Sequence, residues 1–197
     1  PRAAGQDSTA SNAASCSDCG AGSITNRGSL PGASSCTACA AGKFSTASNV
    51  DTCTACEAGK YADGSAQTAC KACGVGKKQT ETGKAFCDAC AAGKYQASTA
   101  ATACSSCTTG RYSGALATTC SLCADGKHSG QSASVCNDCP KGYYGLGDGT
   151  CMTKCVAGKY STAGAQDCTD CGVGRYQSAA GMHECISCAA GKYNAGE

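Results

Sequence analysis

The sequence has no tryptophan and almost none of the residues that build an apolar interior. Leu, Ile, Val and Phe together number 13 of 197 residues, under 7%. A chain of this length ordinarily buries a contiguous core. Here aliphatic content alone would place it among disordered chains. The 42% hydrophobic fraction does not change this, because Ala and Cys supply most of it. No apolar run approaches the length of about 18 residues that marks a membrane span. The net charge is only +2, with 15% charged residues. That excludes the concentrated basic face a nucleic-acid partner requires. His128 and His183 are the only histidines, and acidic residues never group as a calcium loop. No Ser/His/Asp set, paired carboxylates or phosphate loop can be assembled, so the chain reads as a non-enzyme without cofactor or metal. It also lacks a signal peptide. It opens at Pro1 with PRAAGQDSTASNAAS and ends inside a repeat at GKYNAGE. These ends suggest a fragment of a longer protein, with residues 1–15 as a flexible N-terminal segment.

What the chain has instead is cysteine: 22 residues, about 11%, the level of a disulfide scaffold. They fall in eleven pairs. Ten are C-x-x-C: Cys16/Cys19, Cys36/Cys39, Cys53/Cys56, Cys70/Cys73, Cys87/Cys90, Cys104/Cys107, Cys120/Cys123, Cys136/Cys139, Cys168/Cys171 and Cys185/Cys188. Cys151/Cys155 is stretched by one residue. Pairs recur mostly every 15 to 17 residues, which makes residues 16–197 a tandem array of about eleven repeats, the last truncated.

A second signal is locked to the first. Three residues after the second cysteine of every pair stands a glycine: Gly22, Gly42, Gly59, Gly76, Gly93, Gly110, Gly126, Gly142, Gly158, Gly174 and Gly191. So regular a spacing implies a backbone demand, positive φ in a tight turn. A Lys or Arg usually follows, then an aromatic residue in eight repeats; the aromatic is missing at Ile24, Lys78 and His128. The unit is therefore C-x-x-C-x-x-G-K-Y, followed by a polar loop rich in Ser, Thr, Ala, Gly and Gln. Glycine is too frequent, and apolar residues too sparse, for regular helices. Turns and short strands are expected.

Two chemistries suit the cysteines. Zinc-ribbon ligands use similar spacings. Structural disulfides fit the even count, the small-residue composition and the absence of histidine at any cysteine position. Disulfides are the preferred reading and imply an oxidising, extracellular compartment. Spacing alone leaves connectivity open. A ladder could join first to first and second to second. Loop closure, from the second cysteine of a pair to the first of the next, needs no alternation between odd and even repeats. It would form Cys19–Cys36, Cys39–Cys53, Cys56–Cys70, Cys73–Cys87, Cys90–Cys104, Cys107–Cys120, Cys123–Cys136, Cys139–Cys151, Cys155–Cys168 and Cys171–Cys185, leaving Cys16 and Cys188 to partners outside the fragment.

The motif C-x-x-C-x-x-G-K-Y-x8-C resembles the ephrin-receptor-like cysteine-rich repeat, a relative of EGF-like and tumour necrosis factor receptor modules. The resemblance spans Cys16 to Tyr193 and is closest in CVAGKYSTAGAQDCTDCGVGRYQSAAGMHECISCAAGKY, from Cys155 to Tyr193. It implies bonding between the first and last cysteine of each loop, and aromatic rings covering the disulfides at Phe44, Tyr61, Tyr95, Tyr112, Tyr144, Tyr160, Tyr176 and Tyr193. Long uninterrupted runs of such repeats resemble those of extracellular surface and matrix proteins of algae and other protists.

The expected fold is thus an elongated rod of small disulfide-rich loops, mostly turn and coil with short β-strands and negligible helix. Each repeat is expected to contact only its neighbours. The expected role is structural, in an extracellular rod, filament or cell-surface stalk, with a ligand-binding receptor ectodomain or surface antigen as the alternative. Self-association, other matrix or surface proteins, and glycans are the expected partners. Ser and Thr make up roughly a fifth of the chain and suit O-linked glycans.

Overall fold

Without an apolar core, local order must come from short hairpins tied by sulfur, and the computed structural model is built that way. It describes residues 6–7, 15–27 and 30–194. The flexible segment expected over residues 1–15 lies almost wholly outside these. Within it, Gln6–Asp7 pairs antiparallel with Ser17–Asp18. The described residues contain no helix, only two-stranded antiparallel ladders two or three residues long and an isolated parallel bridge between Tyr112 and Ala133.

Each ladder belongs to one repeat. The basic–aromatic dipeptide after the glycine is the first strand, and the residues between the next two cysteines are the second. Lys43–Phe44 pairs with Thr54–Ala55, with Lys43 opposite Ala55 and Phe44 opposite Thr54. The same register recurs for Lys60–Tyr61 with Lys71–Ala72, and for Arg111–Tyr112 with Ser121–Leu122. A turn ahead of the first strand is closed by its own hydrogen bond, as where Lys43 N–H donates to the Ala40 carbonyl at 3.0 Å. We number the loops 1 to 10 by their bridging disulfides, from Cys19–Cys36 to Cys171–Cys185.

The chain divides into two units: residues 1–90 with 96–104, and residues 91–95 with 105–197. In the first unit, consecutive loops are joined by three recurring backbone hydrogen bonds. From loop 2 to loop 3, Gly42 N–H donates to the Ala62 carbonyl at 2.9 Å and Ser45 N–H to the Gln67 carbonyl at 3.1 Å. In return, Ala66 N–H donates to the Cys39 carbonyl at 2.8 Å. Loops 3 and 4 repeat the set with Gly59, Ala62 and Gly83 as donors. The second unit uses the same junction. From loop 6 to loop 7 the donors are Gly110, Ser113 and Ser132. From loop 9 to loop 10 they are Gly158, Ser161 and Gly181.

Contact does not stop at the next loop, which corrects the nearest-neighbour expectation. A Cβ built on Gly42 would fall on the Gly83 carbonyl, two loops on, and one built on Gly59 would fall on the Ala100 carbonyl. In the second unit Gly93 meets Ser132 and Gly142 meets Gly181 in the same way. A hairpin of two residues per strand cannot enclose an interior of its own, so it presses against two successors.

Candidate functional site

The interior of each repeat is its second cysteine. Cys19, Cys39, Cys56, Cys73, Cys90, Cys139 and Cys155 have no exposed surface, and Cys107 and Cys123 are almost as deep. The first cysteines, at the loop ends, are mostly half-buried. Ten disulfides join the second cysteine of each pair to the first of the next, with Cα–Cα distances from 5.4 to 5.8 Å. That span suits an S–S bridge. Cys16 and Cys188 carry free thiols. Among the described residues, no three His, Cys, Asp or Glu side chains gather where a metal ion could be held. No helix there is long and apolar enough to cross a membrane.

The repeat glycines occupy the left-handed region, from Gly126 at φ 72° to Gly158 at φ 85°, where an L side chain is strained. At Gly22, Gly42, Gly59, Gly93, Gly110, Gly126 and Gly142 a backbone carbonyl at the loop tip two repeats on also leaves no room for a methyl group.

Two further sets of residues carry the assembly, and neither stands out in the sequence. The first follows the aromatic position: Thr25, Ser45, Ala62, Gln79, Ser113, Ser129, Ser161 and Gln177, all buried. Buried polar groups must be paired, and these are, in two ways. Three Ser hydroxyls donate to the carbonyl just before the aromatic of the preceding loop, Ser113 to Lys94 at 3.0 Å, Ser129 to Arg111 at 3.0 Å and Ser161 to Tyr143 at 2.8 Å, whereas Ser45 donates to the Ala47 carbonyl of its own loop at 3.0 Å. Gln side chains also staple their own loop. Gln79 donates to the Phe86 carbonyl at 2.8 Å and accepts from Glu81 N–H at 3.0 Å. Gln177 does the same with Glu184 and Ala179. A fixed place in the register, always filled by a small residue, Gln or Asn, is the signal that could have found this position.

The second set is the loop tip. Asn49, Ala66, Ala100, Leu116 and Ser132 all have positive φ, between 55° and 62°. Gly83, Gly164 and Gly181 occupy the same place in other loops. Tip N–H groups donate to the buried second-cysteine carbonyl of the preceding loop, as Ala100 does to Cys73 at 2.8 Å. The strain of a non-glycine tip, about 1–2 kcal/mol, is offset at that junction.

The aromatic positions vary. Phe44, Tyr61, Tyr95, Tyr112, Tyr144 and Tyr160 are half-buried, whereas Tyr176 is 42% exposed and Tyr193 89%. Phe44 shares a groove with Cys70 and Tyr95 one with Cys120, so each ring stands beside the bridging cysteine of the following loop. The Lys and Arg residues of the strands face outward. Lys127 reaches Asp138 across its ladder at 2.6 Å and Lys159 reaches Asp170 at 2.7 Å. In loop 8, Lys154 lies 5.7 Å from the centre of the Tyr143 ring opposite it. Exposed ion pairs of this kind contribute little to stability. Two more hold their carboxyls below the ordinary value. Asp63 is lowered by its hydrogen bond from Lys71 and Glu81 by that from Lys84. Asp148 is lowered mainly by the backbone N–H of Thr150.

A family model described as tyrosine-protein kinase ephrin type A/B receptor-like matches residues 42–86 and 158–197. These two stretches, under half of the chain, are similar to that cysteine-rich family. The same cysteine and glycine register continues through the loops between them. No curated protein matches the chain in sequence.

Proposed function

We propose that this chain is a structural component of an extracellular rod, filament or cell-surface stalk built from disulfide-stapled repeats. The observation that carries the reading is the repeated junction. The same backbone donors and acceptors join loop to loop within each unit. Length is then gained by adding loops without inventing a new interface. Side-chain identity at the junction is restricted mainly to the cysteine, the glycine and the residue after the aromatic, which leaves the outward positions free to vary. Self-association, matrix partners and O-glycans on the exposed Ser and Thr residues fit this role. Negative-stain imaging of the protein from its native source tests it. Rods or fibrils are expected, and isolated globular particles would count against the reading.

A second reading, a receptor ectodomain or surface antigen, is favoured by one segment. Between Cys136 and Cys155 the loop shortens to a bridge separation of 12 residues and presents Leu146 and Met152 at 72% and 84% exposure. If partner binding exists and resides there, Leu146→Ser with Met152→Ser abolishes it while all ten disulfides persist. Binding undiminished in that variant would remove the segment from consideration.

A further inference from the structure

Two grooves occupy the same place in different repeats, between the aromatic of one loop and the bridging cysteine of the next. In the first unit the groove is lined by Phe44, Thr54, Ala55, Glu57, Lys60, Ala69 and Cys70. Its single cation is spent internally, since Lys60 Nζ lies 3.1 Å from Glu57 Oε2. In the second unit the groove is lined by Tyr95, Ser106, Thr108, Arg111, Thr119 and Cys120 and is an open depression of about 250 Å³. Position by position, Ala55 is replaced by Ser106, Glu57 by Thr108, Lys60 by Arg111 and Ala69 by Thr119. The acid is gone, the cation is now a guanidinium, and three hydroxyls replace two methyls and a carboxylate.

We propose that the Tyr95–Arg111 groove binds an anionic saccharide, one ring of a carboxylated or sulfated glycan. A sugar ring has an apolar C–H face and a polar rim. Tyr95 is half-buried, so its ring is held as a wall against which the apolar face can lie. Ser106, Thr108 and Thr119 each offer a hydroxyl that both donates and accepts, matching the rim. Arg111 supplies the charge. Its Nη1 donates to the Cys120 carbonyl at 3.1 Å, which fixes the guanidinium at the groove edge and leaves its other N–H donors to the ligand. Among the described residues Arg111 enters no ion pair. A planar fork of this kind recognises a carboxylate or sulfate through paired hydrogen bonds. The open groove has room for a single ring, so affinity for a polymer would come from neighbouring chains or repeated engagement. This site is independent of whether the chain is a stalk or a receptor.

The test is calorimetric titration of the full, oxidised chain with three probes: a heparin-derived tetrasaccharide, trigalacturonate and the neutral maltotetraose. The sulfated or the carboxylated probe, or both, is expected to bind, with maltotetraose at least tenfold weaker. Binding by one anionic class alone supports the site and fixes its ligand. Arg111→Gln is expected to weaken binding at least tenfold with all ten disulfides intact by non-reducing mass mapping, whereas Lys60→Gln leaves it unchanged. Tyr95→Ala, checked in the same way, is expected to weaken it by a similar factor. Equal binding of the neutral probe, no binding by any probe, or an Arg111→Gln variant that behaves like Lys60→Gln would overturn the proposal.

Discussion

Gly42 and Gly158 have the same sequence surroundings, the same donor role toward the next loop and φ values of 84° and 85°. They differ in what lies against them. Gly42 is buried and abuts the Gly83 backbone two loops on, whereas nothing stands within 4 Å of a Cβ at Gly158. Gly174 and Gly191 are open in the same way. Exposure follows. Phe44, Tyr61, Tyr95, Tyr112, Tyr144 and Tyr160 are half-buried, but Tyr176 and Tyr193 are not. The contrast separates two demands that the motif merges. Glycine is needed locally for its backbone angle at every repeat, and sterically only where a second successor is seated.

The strongest way to break this comparison is to remove a bridge. Replacing Cys107 and Cys120 together by Ala, in a loop with separation 13, should cost about 3 kcal/mol in the chain-entropy account. The loss should appear as faster hydrogen exchange in loop 6, back to Gly93 and forward through loops 7 and 8, which lie against it. The same change at Cys171 and Cys185 should reach back to loop 8, whose Gly142 abuts Gly181, but should spread forward only into the residues from Cys188 to Asn194. Equal spread of the disturbance in both variants would contradict the two-successor arrangement.

Next in size is the glycine pair itself. Gly42→Ala should lose about 2–5 kcal/mol, the sum of a positive-φ penalty and overpacking against backbone. Gly158→Ala should lose only the first part, about 1–2 kcal/mol. Denaturant midpoints monitored at each loop by hydrogen exchange would check the difference. The position after the aromatic gives a smaller effect: Ser129→Ala leaves the Arg111 carbonyl without that donor and should cost about 1 kcal/mol, by the same readout. At a strained tip the sign reverses. Ala100→Gly relieves φ 55° and should stabilise its junction by about 0.5–1 kcal/mol.

The smallest effect is that of pH. Asp63 and Glu81 have lowered pKa values, so their contribution is present above the ordinary carboxylate range and is lost as pH falls through the folded values. Both are surface groups. Acidification to the point where they are protonated should leave the amide protection pattern intact, and a cooperative acid transition would show that ion pairs matter more than this account allows.

How much could be read from the residues follows from the same physics. The loop unit, the turn glycine and the scarcity of helix were legible, because a residue type without substitute marks each of them. The tips were not, because their positive φ is filled by Ala66, Ala100, Leu116 and Ser132 as well as by glycine, at a strain that only the junction hydrogen bond explains. The contact between loop n and loop n+2 was also hidden. It is made by backbone carbonyls, and Gly22 meets Ala66 while Gly126 meets Gly164, so no pair of side chains records it. The Tyr95–Arg111 groove combines residues that read separately as a disulfide cover, the basic member of the repeat and scattered hydroxyls; only the hairpin register brings them together.

The central claim is that sulfur bridges and backbone junctions replace an apolar interior. Amide hydrogen exchange of the intact chain, compared before and after complete reduction in the absence of denaturant, tests it most directly. The account predicts that protection at Gly42, Gly59, Gly110 and Gly142 disappears on reduction. Protection that survives at those amides would mean that some other force holds the loops together.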